Sequence, residues 1–193
     1  MRHAVKLQRD KGVVTGADAL RPCRLGDAAR LAAEAEGGLN IEGLAATPDG
    51  TLLIGLRNPV PRQRALVIPL LNPGEVINGV RARFGAPIEL DLGQRGIRSI
   101  ERVGSSYLIV AGPPADSGSF ALYRWSGQAA DAATPVADID LKELRPEALF
   151  AILGSGRVQL LSDDGGVKIA GVECKKLPVA QQTFRGLAVT PRE

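Results

Sequence analysis

Histidine is nearly absent: the 193-residue chain has one, His3. That argues against a Ser-His-Asp or Cys-His mechanism and against histidine-ligated metals within this chain. Cysteine is almost as rare. Cys23 and Cys174 form no CxxC motif and no Cys/His cluster, so a zinc site is not expected. Two buried thiols are the simpler reading, although the pair would be free to oxidise in a suitable compartment. Aromatic residues make up 4% of the chain, too few for a base-stacking surface, so no nucleic-acid partner is expected. No apolar run approaches the ~18 residues of a membrane-spanning helix. The opening MRHAVKLQRDKG has no signal-peptide core. As written, the chain is expected in the cytoplasm; a start lying upstream would leave secretion or a periplasmic location open. Walker loops, G-x-G-x-x-G and G-x-S-x-G elbows are missing as well.

Glycine and proline are plentiful, at 23 and 13 residues, as many short strands joined by tight turns require. The net charge is only +3. The densest basic stretch, Arg57, Arg62 and Arg64, reads as a solvated loop, with phosphate binding the lesser reading. Residues 4–7 form a short strand candidate, followed by a turn over 10–12. The Ala-, Leu- and Glu-rich segment 27–36 predicts one short helix, capped by Asp27 and ended by Gly37 and Gly38.

From Asn40 onward the pattern is strands, and it repeats. Apolar segments at 43–47, 51–56, 65–70 and 88–92 make a first group of four, with TPDG (47–50) as a turn. A second group runs through 96–103, 107–111, 120–125 and 136–139. A third begins at 145–153 and 158–162, with weaker candidates at 168–172 and 174–177. The segment FRGLAV (184–189) would open a fourth. Four strands every 40–50 residues or so is the pattern of β-propeller blades. The expected fold is therefore all-β, one domain over 1–193. Residues 1–38 would supply part of an outer blade strand and the helix, and 39–193 three to four consecutive blades, the C-terminal part of a larger propeller. Incomplete closure would leave strand edges open to self-association.

Aligning the first strand of each group gives IEGL, IRSI, PEAL and FRGL. Each carries a charge, then a small residue, then Leu or Ile. The charges are Glu42, Arg98, Glu147 and Arg185, and they would stand where the inner strands begin, around the channel mouth. One reading is a self-satisfied ion-pair ring that holds blades in register. The other is a ring that presents arginines and carboxylates to a ligand or metal.

The segments at 40–59, 89–103 and 146–150, with LLSDDG (160–165), CKKL and FRGLAV, resemble the DUF3616 family over about residues 39–190. The resemblance implies a bacterial, propeller-like protein with a longer parent domain and no established activity. The Glu42-Gly43-Leu44 motif is similar, over that short stretch alone, to phytase-like and esterase-like propellers. That likeness implies acidic residues near the axis able to hold calcium.

Three functions follow as expectations. The first is binding of a small anionic or polyol ligand at the channel mouth by Glu42, Arg98, Glu147, Arg185 and Arg57, with calcium as the one candidate cofactor. The second is metal-assisted hydrolysis of phosphate or carboxylic esters, with Glu42, Glu147 and Asp163 as metal or base candidates and Arg98 and Arg185 as anion clamps. The third is a protein-interaction scaffold. Asp163, Asp164 and Glu42 are the metal candidates, since calcium takes several carboxylate oxygens. The alternative for SDDGG is a hairpin turn.

Overall fold

A computed structural model describes residues 23–115 and 117–191; the strand and turn expected at 4–7 and 10–12 lie outside them. The first sheet is antiparallel, in the order β1 (Asn40–Ala46), β2 (Leu52–Asn58), β3 (Ala65–Leu70), β4 (Ile88–Leu90). The second repeats that order with β5 (Gly96–Val103), β6 (Ser106–Gly112), β7 (Ala121–Trp125) and β8 (Thr134–Pro135). The third contains β9 (Pro146–Ala151), β10 (Val158–Ser162) and β13 (Gly186–Val189), while β11 (Lys168–Ile169) and β12 (Val172–Glu173) form a separate hairpin. None of the sheets closes on itself. Among the described residues, helix is confined to two single turns, α1 (Leu25–Ala28) and α2 (Pro73–Val76), and to short 3-10 turns.

Strand alternation explains how the sheets stack. Successive side chains on a strand point to opposite faces. On β6, Tyr107, Ile109 and Ala111 face the first sheet and, with Ile97 of their own sheet, form one cluster with Leu53, Val67 and Leu90. Leu108 and Val110 face the third sheet and meet Leu149, Val158 and Leu160. The middle sheet is thus buried on both sides, which is why YLIVA reads as a continuous apolar run. A third cluster, Leu56, Leu66 and Ile68 under Cys23 and Leu25, covers the outer face of the first sheet. Cys23 and Cys174 are both buried and unpaired.

The first and second sheets approach closely because glycine lines the contact. Gly43 and Gly55 are cross-strand partners. A Cβ on either would stand 2.8 or 2.6 Å from Ile97 Cγ2, too close for any side chain.

Five expected elements differ. The helix expected over 27–36 is only the turn Leu25–Ala28, preceded by Arg24 in the left-handed region. Asp27 pairs with the Arg24 guanidinium instead of capping a helix. Only Leu25 and Ala28 are buried there, and so short a helix without an apolar face does not persist. The chain instead turns back, with the Leu39 N–H donating to the Ala28 carbonyl. The strand expected at 136–139 is displaced to Thr134–Pro135, and Val136 and Ile139 owe their apolarity to packing beside Leu108 and Leu122. The strands expected at 168–172 and 174–177 shrink to the β11–β12 hairpin, followed by a 3-10 turn at Cys174–Lys176.

The largest difference is β13. It does not open a fourth group but pairs antiparallel with β10, Val158 opposite Val189 and Leu161 opposite Gly186. The open edge of β10 offers unpaired backbone groups, and Leu187 and Val189 pack on the second core from there.

A cleft at the head of three first strands

Glu42, Arg98 and Glu147 share a backbone feature. In β1, Ile41 is paired with Leu56 and Gly43 with Gly55, so Glu42 has no partner in register. In β5, Ile97 is paired with Ala111 and Ser99 with Val110, which leaves out Arg98. In β9, Ala148 is paired with Leu161 and Pro146 with Ser162, which leaves out Glu147. Each charge is therefore the extra residue of a β-bulge at the start of its sheet's first strand. A bulge breaks strict alternation and re-aims its side chain. Since β5 packs against both β1 and β9, the three bulges face one another. The Leu149 N–H donates to Ser99 Oγ at 3.2 Å, one of the links between β9 and β5.

Arg98 is the centre, with 3% of its surface exposed. Its Nη1 donates to Glu42 Oε2 at 3.0 Å and to Glu147 Oε1 at 2.9 Å, and its guanidinium carbon lies 5.5 Å from the centre of the Phe120 ring. Arg57, at the end of β2 and also buried, donates to Glu42 Oε1 at 3.0 Å. The same guanidinium donates to the carbonyls of Pro114 and Ala115, at 3.2 and 3.3 Å. Both oxygens of Glu42 are thus held by arginines. Burial raises the Glu147 carboxyl above its ordinary range; Arg98 pulls it back, and Glu42 and Asp163 push it further up.

This network floors a polar cleft of about 440 Å³ that also takes in Glu34, Arg145, Asp163 and Lys175. Among the described residues, the Arg145 and Lys175 side chains form no ion pair, and Arg98 Nε is buried without a hydrogen-bond partner. Arg145 and Lys175 escaped the sequence reading. Arg145 directly precedes the aligned PEAL, but Lys175 reaches the cleft only through the fold of the β10–β13 connection.

Of the remaining candidates, Arg185 and Asp164 separate from it and Asp163 stays in it. Arg185 stands just before β13 and turns its guanidinium onto Asp164, with Nε to Oδ2 and Nη2 to Oδ1 both at 2.8 Å. Ser162 Oγ also donates to Asp164 Oδ1 at 2.8 Å. Asp163 lines the cleft, and its Oδ1 accepts from the Gly165 N–H in a tight turn. Among the described residues no three His, Cys, Asp or Glu side chains are grouped as a metal would need. No described helix is long and apolar enough to cross a membrane.

The Asp164–Arg185 pair makes a pH signature. Hydrogen bonds from Arg185 hold the Asp164 carboxyl well below its ordinary 3.8, at about 2, against the upward push of burial and with help from Ser162. A depressed folded-state value stabilises the fold fully above the unfolded value, and the contribution fades as pH falls through the folded one. Asp164→Asn is therefore expected to lose no more than about 2 kcal/mol at neutral pH, trimmed because Arg185 is half exposed. Urea midpoints of the two proteins should converge as pH falls from about 4 towards about 2. A gap that stays constant across that window would show that the pair is not its source.

A family model described as "Protein of unknown function (DUF3616)" matches residues 2–152. The match takes in Glu42, Arg57, Arg98, Arg145 and Glu147 and stops before Asp163, Asp164 and Arg185. No curated protein and no solved structure matches the chain.

Proposed function

The chain belongs to the DUF3616 family, and from that premise we propose that its stacked sheets are successive β-propeller blades whose mouth binds a small anionic or polyol ligand. The repeated bulge carries this reading. Three units put a charged residue at the same register position, and a bulge is costly to the ladder unless the re-aimed side chain has a use. Arg98, Arg145 and Lys175 offer donors in one cleft, while Glu147 and Asp163 add acceptors for hydroxyl groups. Two apolar residues on the free face of β1, Ile41 and Leu44, and Phe150 on the free face of β9 are exposed, where further blades or another copy would pack.

The test is the thermal midpoint in sodium gluconate, which is both anion and polyol, beside sorbitol and calcium chloride. Gluconate is expected to raise it, by the equivalent of about 2.7 kcal/mol at a hundredfold excess over Kd. Arg145→Gln should abolish the shift while changing the unliganded midpoint little, since Arg145 is exposed and has no described ion pair. Calcium should do nothing, because Glu42 and Asp164 are already held by arginines. If gluconate and sorbitol leave the midpoint unchanged, the cleft is not a site for such ligands; a calcium shift would restore the metal reading.

A further inference from the structure

Beside the polar cleft lies a second cavity, of about 480 Å³, walled by Pro59, Val60, Pro61 and Pro114. Most of its wall is apolar, with Glu34 and Glu36 as its charged members. Proline carries no N–H. The carbonyls of Pro114 and Ala115 already accept from Arg57, and the Asn58 amide donates to the Ala35 carbonyl at 2.6 Å. Burial of apolar surface is what such a wall rewards. The two cavities are neighbours: Glu34 lines both, and Arg57 ties the Pro114 loop to Glu42.

We infer that the two cavities form one amphipathic site, which takes a carboxylate head in the polar cleft and an unbranched apolar tail between the prolines. The inference rests on the ligand-binding reading above and narrows its chemistry. The head is an acceptor group because Arg145 and Lys175, which form no ion pair among the described residues, can only donate. A planar carboxylate matches the guanidinium fork. The tail is apolar because most of the wall is Pro59, Val60, Pro61, Pro114 and Ala115, whose burial rewards apolar surface.

Calorimetric titration with sodium octanoate, sodium acetate, 1-octanol and sodium gluconate tests this. Octanoate is expected to bind roughly tenfold or more tighter than acetate, since burying a few methylenes is worth more than the ~1.4 kcal/mol this requires. Val60→Asp should remove that advantage and leave acetate unchanged, whereas Arg145→Gln should weaken both carboxylates. Octanoate binding no tighter than acetate, with gluconate still bound, overturns the tail site and leaves the polar cleft standing. Octanol binding as tightly as octanoate overturns the carboxylate head. If gluconate, acetate and octanoate all fail to bind, the ligand-binding reading falls with it.

Discussion

Replacing Arg98 with methionine should destabilise the fold by about 3–5 kcal/mol, the usual range when one member of a buried ion pair is removed. The geometry favours a large effect. One guanidinium nitrogen holds two carboxylates, from β1 and β9, and the side chain is almost wholly buried over Phe120. Without it, Glu42 and Glu147 face each other with less positive charge between them. Glu147 is partly exposed, so water moderates its share. Adding Glu42→Gln to the Arg98→Met background should recover part of the loss, because it removes a carboxylate left short of a partner. Urea unfolding of the single and double variants measures both quantities. A loss below about 1 kcal/mol for Arg98→Met would mean that the network does not hold the sheets together.

Gly96→Ala is the second large effect, expected at or above the upper end of the ~1–3 kcal/mol typical of overpacking. Gly96 opens β5 where that strand crosses the end of β2. A Cβ there would overlap the Arg57 carbonyl, 2.6 Å from its carbon and 2.8 Å from Arg57 Cα. The obstacle is backbone on both sides, with no flexible side chain to yield. Relief requires moving β5 away from β2, which would also displace Arg98 and Arg57 relative to Glu42. Loss of ligand response should therefore accompany loss of stability. Gly74→Ala, in α2, is the control: nothing lies within 4 Å of its Cβ, and the midpoint should move little. Equal behaviour of the two alanine variants would show that the sheets do not meet as closely as the geometry requires.

The two effects share a cause. The cleft exists because β1, β5 and β9 come together at their first residues. Glycine at Gly43, Gly55 and Gly96 permits the approach of the first two sheets, and the Glu42–Arg98–Glu147 chain of ion pairs ties all three first strands. A variant that spoils either the spacing or the charges should affect the same site.

Much of this was legible in the residues themselves. Alternating and continuous apolar runs located β3, β5 and β10 with their observed bounds and placed β2, β6, β7 and β9 to within a residue or two, while β1 begins three residues before its expected start. Aligning the first strands singled out Glu42, Arg98 and Glu147 from local pattern alone, because a repeat writes the same constraint at the same place in each unit. FRGLAV fitted that pattern equally well and yet became a third strand. Its charge–small–apolar order is also what an edge strand needs beside β10, and only the competition for β10's open edge decided between them. The helix at 27–36 failed for a similar reason: composition favours it, but no surface waits to bury one of its faces.

The sequence by itself determined an all-β chain, its repeating groups of strands and the three charges at their heads, since each rests on side-chain order within a few neighbouring residues. The tertiary structure decided the rest: the bulges that turn those charges inward, the capture of Arg185 by Asp164, and the meeting of Arg145 and Lys175 in one cleft beside the proline-walled cavity. Those outcomes depend on which strand edge is left unpaired and which backbones can touch, and both are properties of segments far apart along the chain.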